Sequence, residues 1–537
     1  MEKVESAQIE TAGEFPEKSL GQQQHNKGDI VLIGENHEVR KIPIPTDDPN
    51  DPLNWPKWRK AGVVGTCCWF AIFSLLSISG TGTFMNTLYA MYMPAHTAEE
   101  ITGLSTYPTM VMAFGSFGLL PLAFIFGRRP VFLFSVILAF ITVLTAGSSQ
   151  GYEGHFISRI FLGLATGATE SLLPLIISDA TFLDERSFYF GIYWSVQNCV
   201  SAGLQIGLSY LTAAGTWRWY YWLFAITLGL SIMFAFFLLP ETRFQRPASS
   251  VNGQIIYTDE FGTTHFLSDE DARERFGDIA QPVSNGAVAR KRSFLQELKP
   301  WSPVADNGFK IWVGAYGKIL KSLSSPGVIF AMLASSISLG IGVAITLIYS
   351  TILEESYGWS PSSVGLFNIG IIPASFLAML HSGWLADKIN VRLAARNGGV
   401  HRPEHHLIHL IVPYLTGAVG IIVFGVCAND PQAYSAWVRF LVAWAIYEFS
   451  FINVLITTTS FAAEVFPENP GAAMVPVVGG KNIIAFGAAY GLIPMLNIYS
   501  YLKAFMILLG IFSGIFALGI PVYFLNSKWR SAALKRT

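Results

Sequence analysis

Twelve apolar runs, each near the roughly 20 residues a helix needs to cross a ~30 Å hydrocarbon core, constrain this chain more than any other feature. Six fall at about 61–84, 105–126, 130–148, 156–178, 188–213 and 219–240. Six more follow at about 327–351, 362–385, 406–428, 436–460, 472–495 and 502–525, and all are numbered 1 to 12 in chain order. The pattern predicts an all-α integral membrane protein: a tail over 1–55, a six-helix bundle over 56–240, a middle loop over 241–325, a second six-helix bundle over 326–526 and a closing tail over 527–537.

Composition agrees with lipid as the main solvent. A soluble chain carries about a quarter charged residues, whereas this one has 13%, against 52% hydrophobic and 14% aromatic. A formal net charge of −1 offers no attraction to a bulk polyanion, so no nucleic acid partner is expected. Cys67, Cys68, Cys199 and Cys427 all lie within apolar runs, which argues against a disulfide framework or a zinc site. Residues 1–45 lack the basic start and short apolar core of a cleaved signal peptide, so run 1 is expected to direct insertion itself.

Lys and Arg set the orientation. Arg128, Arg129, Arg186, Lys388, Arg392, Arg396, Arg402, Lys528 and Arg530 share one set of connections, while 85–104, 148–155, 352–361 and 429–436 contain neither residue type. The basic set belongs in the cytoplasm, and with it both termini and the middle loop. The entry to run 1, "PNDPLNWPKW", suits that side, with Pro56 at a first helical turn and Trp55 and Trp58 in the headgroup layer. Within the middle loop, "YTDEFGTTHFLSDEDARERFGD" is polar enough to be partly disordered or loosely helical. The later "FKIWVGAYGKILKSL" mixes Ile311, Trp312 and Ile319 with Lys310, Lys318 and Lys321, as in an amphipathic helix on the membrane surface. An irregular linker is the alternative.

After run 8 the chain reads "SGWLADKINVRLAARNGG", and at the equivalent place after run 2 it reads "LPLAFIFGRRPV". Gly383, Leu385, Ala386, Asp387 and Lys388 match the GxLADR pattern of the major facilitator superfamily, and Gly127, Arg128 and Arg129 match its GRR ending. With "DPLNWP", "TWRWYYW" and "LPETRF", the chain resembles the fungal drug:proton antiporter branch of that superfamily over most of its length. The resemblance implies two pseudo-symmetric six-helix bundles rocking around a central cavity. It also implies a cytoplasmic latch, in which a motif Asp pairs with Arg across the gap between helices. Phe124 stands where the first copy would have its Asp, so the second copy, with Asp387, is expected to carry the ionic latch. That Arg128 and Arg129 serve only to enforce topology is an equal alternative.

Runs 4 and 10 share a pattern: Arg159 and Arg439 near one end, Glu170 and Glu448 within, and the acidic loop pairs Asp179 with Glu185 and Glu464 with Glu468 at the other. Asp179, Glu185, Arg186 and Glu464 are therefore expected at the cytoplasmic gate. A charge at mid-bilayer costs roughly 2.5–3.5 kcal/mol on insertion scales, so Glu170, Glu448 and Lys481 mark a function or a partner. Withdrawing water from a carboxylate favours its protonated form, which lets such a group couple a proton gradient to cargo. The 11 residues from Arg159 to Glu170 put the two within roughly 20° on one helical face and ~16 Å apart, facing one surface without touching. Arg159 resembles the functional Arg that the superfamily places in helix 4. Glu170 is the proton-coupling candidate, with Arg159 modulating it. Glu448, with Trp444, Tyr447 and Asn453 nearby, is the cargo-binding candidate, since aromatic faces beside a carboxylate suit an organic cation. A structural alternative pairs Glu448 with Lys481, joining runs 10 and 11.

In run 5, "QNCVSAGLQIG" offers Gly203 and Gly207 for close helix approach. It lacks the Pro of the motif that antiporters of the superfamily carry there, which leaves direction open. There is no P-loop to drive transport with ATP. His401, His405, His406 and His409 read as a solvated basic face, with a metal site there as the lesser alternative, and no metal ligand or cofactor is assigned. The chain is thus expected to be a monomeric plasma-membrane secondary transporter and not an enzyme, with a small-molecule substrate, protons and lipid as its partners. Proton-driven export of small organic compounds is the first reading. Proton-coupled import of polyamines or other organic cations, and a non-transporting sensor, are its rivals.

Overall fold

The computed structural model describes residues 30–31, 41–43, 45–46, 48–214, 216–244, 249–251, 254–258, 264–268, 291–304, 307–360, 362–430, 436–465 and 470–535. Among them, eleven helices are long and apolar enough to cross a membrane. They are α1 (Lys57–Gly82), α2 (Ala98–Phe126), α3 (Arg128–Ser148), α4 (Tyr152–Ala180), α6 (Arg218–Leu238), α7 (Pro326–Tyr357), α8 (Val364–Arg396), α9 (Pro403–Asn429), α10 (Trp437–Val465), α11 (Gly471–Ala488) and α12 (Tyr501–Trp529). The helix Arg186–Ala214, here α5, has the length at 29 residues but is too polar to join them by composition. Six helices therefore stand on each side of the middle loop, in the all-α arrangement the apolar runs predict.

Within the first half α3 packs on α4 and α6, and within the second α9 packs on α10 and α12. The halves meet where α5 lies against α8 and α10, and where α2 lies against α11. Three helices are irregular near the charged residues. α4 breaks at Gly167 into Tyr152–Thr166 and Ala168–Ala180. α8 and α11 widen into π-helical turns at Met379–Leu385 and Val475–Gly479, just before Asp387 and Lys481. Such bulges recur at functional positions.

The described parts of both tails and of the middle loop gather at one end, called here the tail side. Asp51 Oδ1 accepts from Leu53 N at 3.0 Å and caps a short turn ahead of α1. Trp58 is 75% exposed there, but Trp55 turns inward under the Arg59 guanidinium, 4.5 Å from its ring, so only Trp58 is free to meet headgroups. The amphipathic helix forms as Gly308–Ser322. It buries Ile311, Ala315 and Ile319 against Phe124, Leu175, Ala472 and Val475, and so touches α2, α4 and α11 together. Phe309, Trp312 and Leu320 stay exposed on its other side.

In the earlier loop stretch, residues 257–258 and 264–268 are strand, which corrects the loosely helical alternative for those residues, while the rest of the stretch lies outside the described residues. Strands Ser249–Val251, Gln254–Thr258 and Thr264–Ser268 pair antiparallel, with Ile256 opposite Phe266 and Tyr257 opposite His265. Aromatic and β-branched residues fit a pleated surface, and they outweigh the polar average of the segment. A second, two-stranded pairing joins Ile30–Val31 to Val400–His401. Residues 269–290 of the middle loop, and Glu468, lie outside the described residues.

Candidate functional site

A cavity of about 210 Å³ lies between the halves, lined from α1, α2, α4, α5, α7, α8, α10 and α11. The polarity of α5 has its cause here, since Gln197, Asn198, Ser201 and Gln205 line the space. Glu170, Glu448 and Lys481 also reach it, from three different helices.

Lys481 forms an ion pair with Glu170 Oε2 rather than with Glu448, correcting the alternative that joined runs 10 and 11. The pair crosses from α4 to α11 because α11 leans on α2 of the other half, and Gly479 allows contact with Ser116 there. Lys481 Nζ also donates to Val478 O at 2.7 Å and sits 5.2 Å from the Trp194 ring centroid. Glu448, 5% exposed, has no hydrogen bond or ion pair to any of the described residues and opens on the cavity.

Four positions separate Trp444 from Glu448, so both present to one face, and both line the cavity. The Trp444 Nε1 donates to Asn368 Oδ1 at 3.2 Å, which holds the indole in place. Tyr447 and Asn453, offset by about 100° and 140° from Glu448, are not among the cavity's lining residues. Tyr447 donates to Ser338 O at 2.5 Å, and Asn453 Oδ1 lies 3.0 Å from His381 Nδ1.

Arg159 does not line the cavity. Its guanidinium donates to Leu104 O at 2.6 Å, Ser77 O at 2.8 Å, Ile78 O at 2.8 Å, Thr81 Oγ1 at 2.9 Å and Tyr221 Oη at 3.3 Å. It thereby satisfies the carbonyls at the end of α1 and ties α1, α2, α4 and α6 together. The single-face geometry expected for Arg159 and Glu170 assumed an unbroken helix, and the break at Gly167 removes it.

On the tail side the two motif copies make different contacts. Asp387 meets no Lys or Arg among the described residues, contrary to the ionic latch expected there. Its carboxylate instead accepts from Phe188 N at 2.9 Å, on the first turn of α5 in the other half. A helix N-terminus carries orphan N–H groups and partial positive charge, so it serves as the cation. Beside this bond Gly191 and Gly383 let the halves close, since a Cβ on Gly191 would lie 3.1 Å from Gly383 Cα. In the first copy Phe124 packs by van der Waals contact near Gly471, at the start of α11. Lys388 stays exposed with its Nζ 3.8 Å from the Trp384 ring centroid.

The first copy does make an ion pair. Arg128 Nε lies 3.2 Å from Asp179 Oδ2, which also accepts from Thr242 Oγ1 at 3.1 Å. Arg129 donates to Phe236 O at 2.6 Å and Lys299 O at 2.9 Å. Both arginines are buried and bonded, so they do more than enforce topology. Glu241 accepts from Arg128 N at 3.0 Å and Ser302 Oγ at 2.5 Å, capping α3, while Arg243 donates to Phe124 O at 2.9 Å and closes α2. Glu241, Thr242 and Arg243 are site residues that sequence reasoning missed. Their signal was the "LPETRF" stretch, read only as a family label. Glu185 lies 4.0 Å from Lys60 Nζ, and Arg186 is buried at the start of α5.

Two further expectations are corrected. A Cβ built on Gly203 or Gly207 would meet nothing within 4 Å, so the small-residue spacing does not serve close approach. His401, His405, His406 and His409 are all buried, not a solvated face. The turn Pro403–Leu410 folds inward, where Glu464 accepts from His401 and His406 and Glu404 accepts from Asn526.

Similarity to known proteins agrees with this architecture. A family profile described as Major Facilitator Superfamily matches residues 70–480, well over half of the chain. An uncharacterised MFS-type transporter of Schizosaccharomyces pombe is 23% identical over 74% of this chain and 71% of its own length. The efflux pump vrtL of Penicillium aethiopicum is 22% identical over 82% of this chain and 80% of its own length. Among solved structures, the human organic anion transporter MFSD10 superposes with a TM-score of 0.57 at 14% identity, over 87% of this chain and 100% of that one. Members of this family are transporters, not enzymes, and on profile and architecture alike the chain belongs to the Major Facilitator Superfamily.

Proposed function

We propose that the chain is a proton-coupled secondary transporter exporting small organic compounds across the plasma membrane, with its tail side in the cytoplasm. One observation carries the reading: the buried carboxylate of Glu448, unpaired among the described residues, opens on a cavity between the two halves, beside Trp444. An isolated charge there is costly, and either a proton or a cationic group on the cargo relieves the cost. The two compete for one carboxylate, which makes exchange possible. The Glu170–Lys481 pair supplies the second element, because protonating Glu170 removes an attraction between the halves. Export is supported by the likeness to a relative named as an efflux pump.

A second reading, import of organic cations with protons, draws on the same carboxylate and its aromatic neighbour, which suit a cation. Proteoliposomes loaded with a labelled organic cation separate the two. An imposed pH gradient should drive exchange of cation for proton in wild type, and Glu448→Gln should abolish the gradient dependence. Cation and proton moving the same way would favour import. Flux indifferent to the gradient in both directions would overturn the proposal.

A further inference from the structure

We propose that His401, His406 and Glu464 form a binding site for one divalent transition-metal ion of the Zn²⁺ class. His401 Nε2 lies 2.8 Å and His406 Nε2 3.1 Å from the same Glu464 Oε2, and the three ligand atoms all fall within 4.8 Å of one another. All three residues are buried, at 3%, 2% and 5% exposure. A tetrahedral ion with bonds of about 2.0–2.2 Å separates its ligand atoms by about 3.3 Å. The 2.8 and 3.1 Å separations lie within about 0.5 Å of that spacing, and the two imidazole nitrogens, no more than 4.8 Å apart, close by at most about 1.5 Å when an ion is seated.

The donor set argues for the metal class. Two imidazoles and one carboxylate suit zinc and its first-row neighbours, whereas Mg²⁺ and Ca²⁺ want oxygen ligands throughout. Three protein ligands leave a fourth position for water or for another side chain. His405 is near, its ring centroid 5.6 Å from that of His401, and its buried Nδ1 has no hydrogen-bond partner among the described residues.

An outer shell is in place for His406, whereas His401 Nδ1 is buried with no hydrogen-bond partner among the described residues. Metal-ligating imidazoles usually hold their second nitrogen by a hydrogen bond. The side-chain amide of Asn390 lies 3.2 Å from His406 Nδ1 and 3.2 Å from His409 Nε2. Amide orientation is an assignment, and turning it by half a rotation presents Oδ1 to a protonated Nδ1 of His406, as a bound ion requires.

His401 comes from the α8–α9 connection, His406 from the first turns of α9 and Glu464 from the tail-side end of α10, and His401 is the residue that pairs with Ile30 of the N-terminal tail. An ion would pin these segments together. It would do so without touching the cavity.

The test uses the full-length protein, purified in detergent with a histidine-free affinity tag and stripped by chelator. After equilibration with micromolar Zn²⁺, elemental analysis should find one ion per chain, and Co²⁺ substitution should give tetrahedral visible bands. His406→Ala and Glu464→Gln should each lose the ion, Asn390→Ala should weaken it roughly tenfold, and His96→Ala, far from the site, should keep it. Wild type that binds no Zn²⁺ or Co²⁺ overturns the proposal without recourse to any variant. So does stoichiometric binding that survives in the His401→Ala/His406→Ala double variant.

Discussion

Replacing Lys481 with Met tests whether the buried pair holds the two halves together. The Lys481 and Glu170 side chains are only 3% and 4% exposed, and Lys481 is the hydrogen-bonding partner of Glu170 among the described residues. Removing one member of a buried pair leaves an uncompensated charge, at about 3–5 kcal/mol. The lost bond to Val478 O adds about 1 kcal/mol. The total, about 4–6 kcal/mol, is at least about a thousandfold in an equilibrium constant. The pair joins α4 to α11, so the loss weighs on the closed contact between the halves and not on either bundle alone. The assay is thiol labelling of Ala472→Cys, buried at the tail-side interface, in a background without the four native cysteines. Lys481→Met should speed labelling by at least tenfold, with a monodisperse elution profile showing that the protein remains folded. Glu170→Gln/Lys481→Met removes both charges and should return labelling to within about threefold of wild type, because a buried pair replaced as a unit is close to neutral. Labelling of Lys481→Met at the wild-type rate, or a double variant as fast as the single, would refute the reasoning.

Three other expectations follow from the same contacts. Arg159→Lys should lower the thermal midpoint nearly as much as Arg159→Ala, since an ammonium cannot replace a fork serving three carbonyls and two hydroxyls; a Lys variant as stable as wild type contradicts the structural role. Gly191→Leu should wedge α5 from α8 at Gly383 and accelerate the same Ala472→Cys labelling, and no change would show that the glycine contact is not limiting. Glu241→Ala should cost about 1–2 kcal/mol as a lost helix cap, seen as a lower midpoint and faster proteolysis between α6 and the middle helix; equal midpoints would remove Glu241 from the tail-side network.

The tail-side knot shows why motifs were easier to find than to interpret. Gly127 takes a φ of +100°, which favours glycine, and the chain turns there between α2 and α3. The turn leaves the last carbonyls of α2 and the first N–H groups of α3 unpaired in a buried place. Arg243 and Glu241 satisfy them from a stretch more than a hundred residues later. Sequence inspection sees the GRR and LPETRF pieces separately. It has no means of seeing that one caps the other.

What the amino-acid sequence determined by itself is the membrane, the helices and the family, because a bilayer imposes a one-dimensional rule: about 20 apolar residues per crossing. α5 was legible as a helix even though the polar residues lining the cavity make it less apolar than the rest. The same reasoning singled out Glu170, Glu448 and Lys481, because charge in an apolar run is expensive wherever it points. Tertiary structure alone decided which of them meet. Lys481 found Glu170 and left Glu448 open because the lean of α11 across the bundle interface, and the break at Gly167, set helix faces that an ideal 100° per residue does not describe. It likewise turned four histidines inward, since the burial of a loop depends on what folds over it.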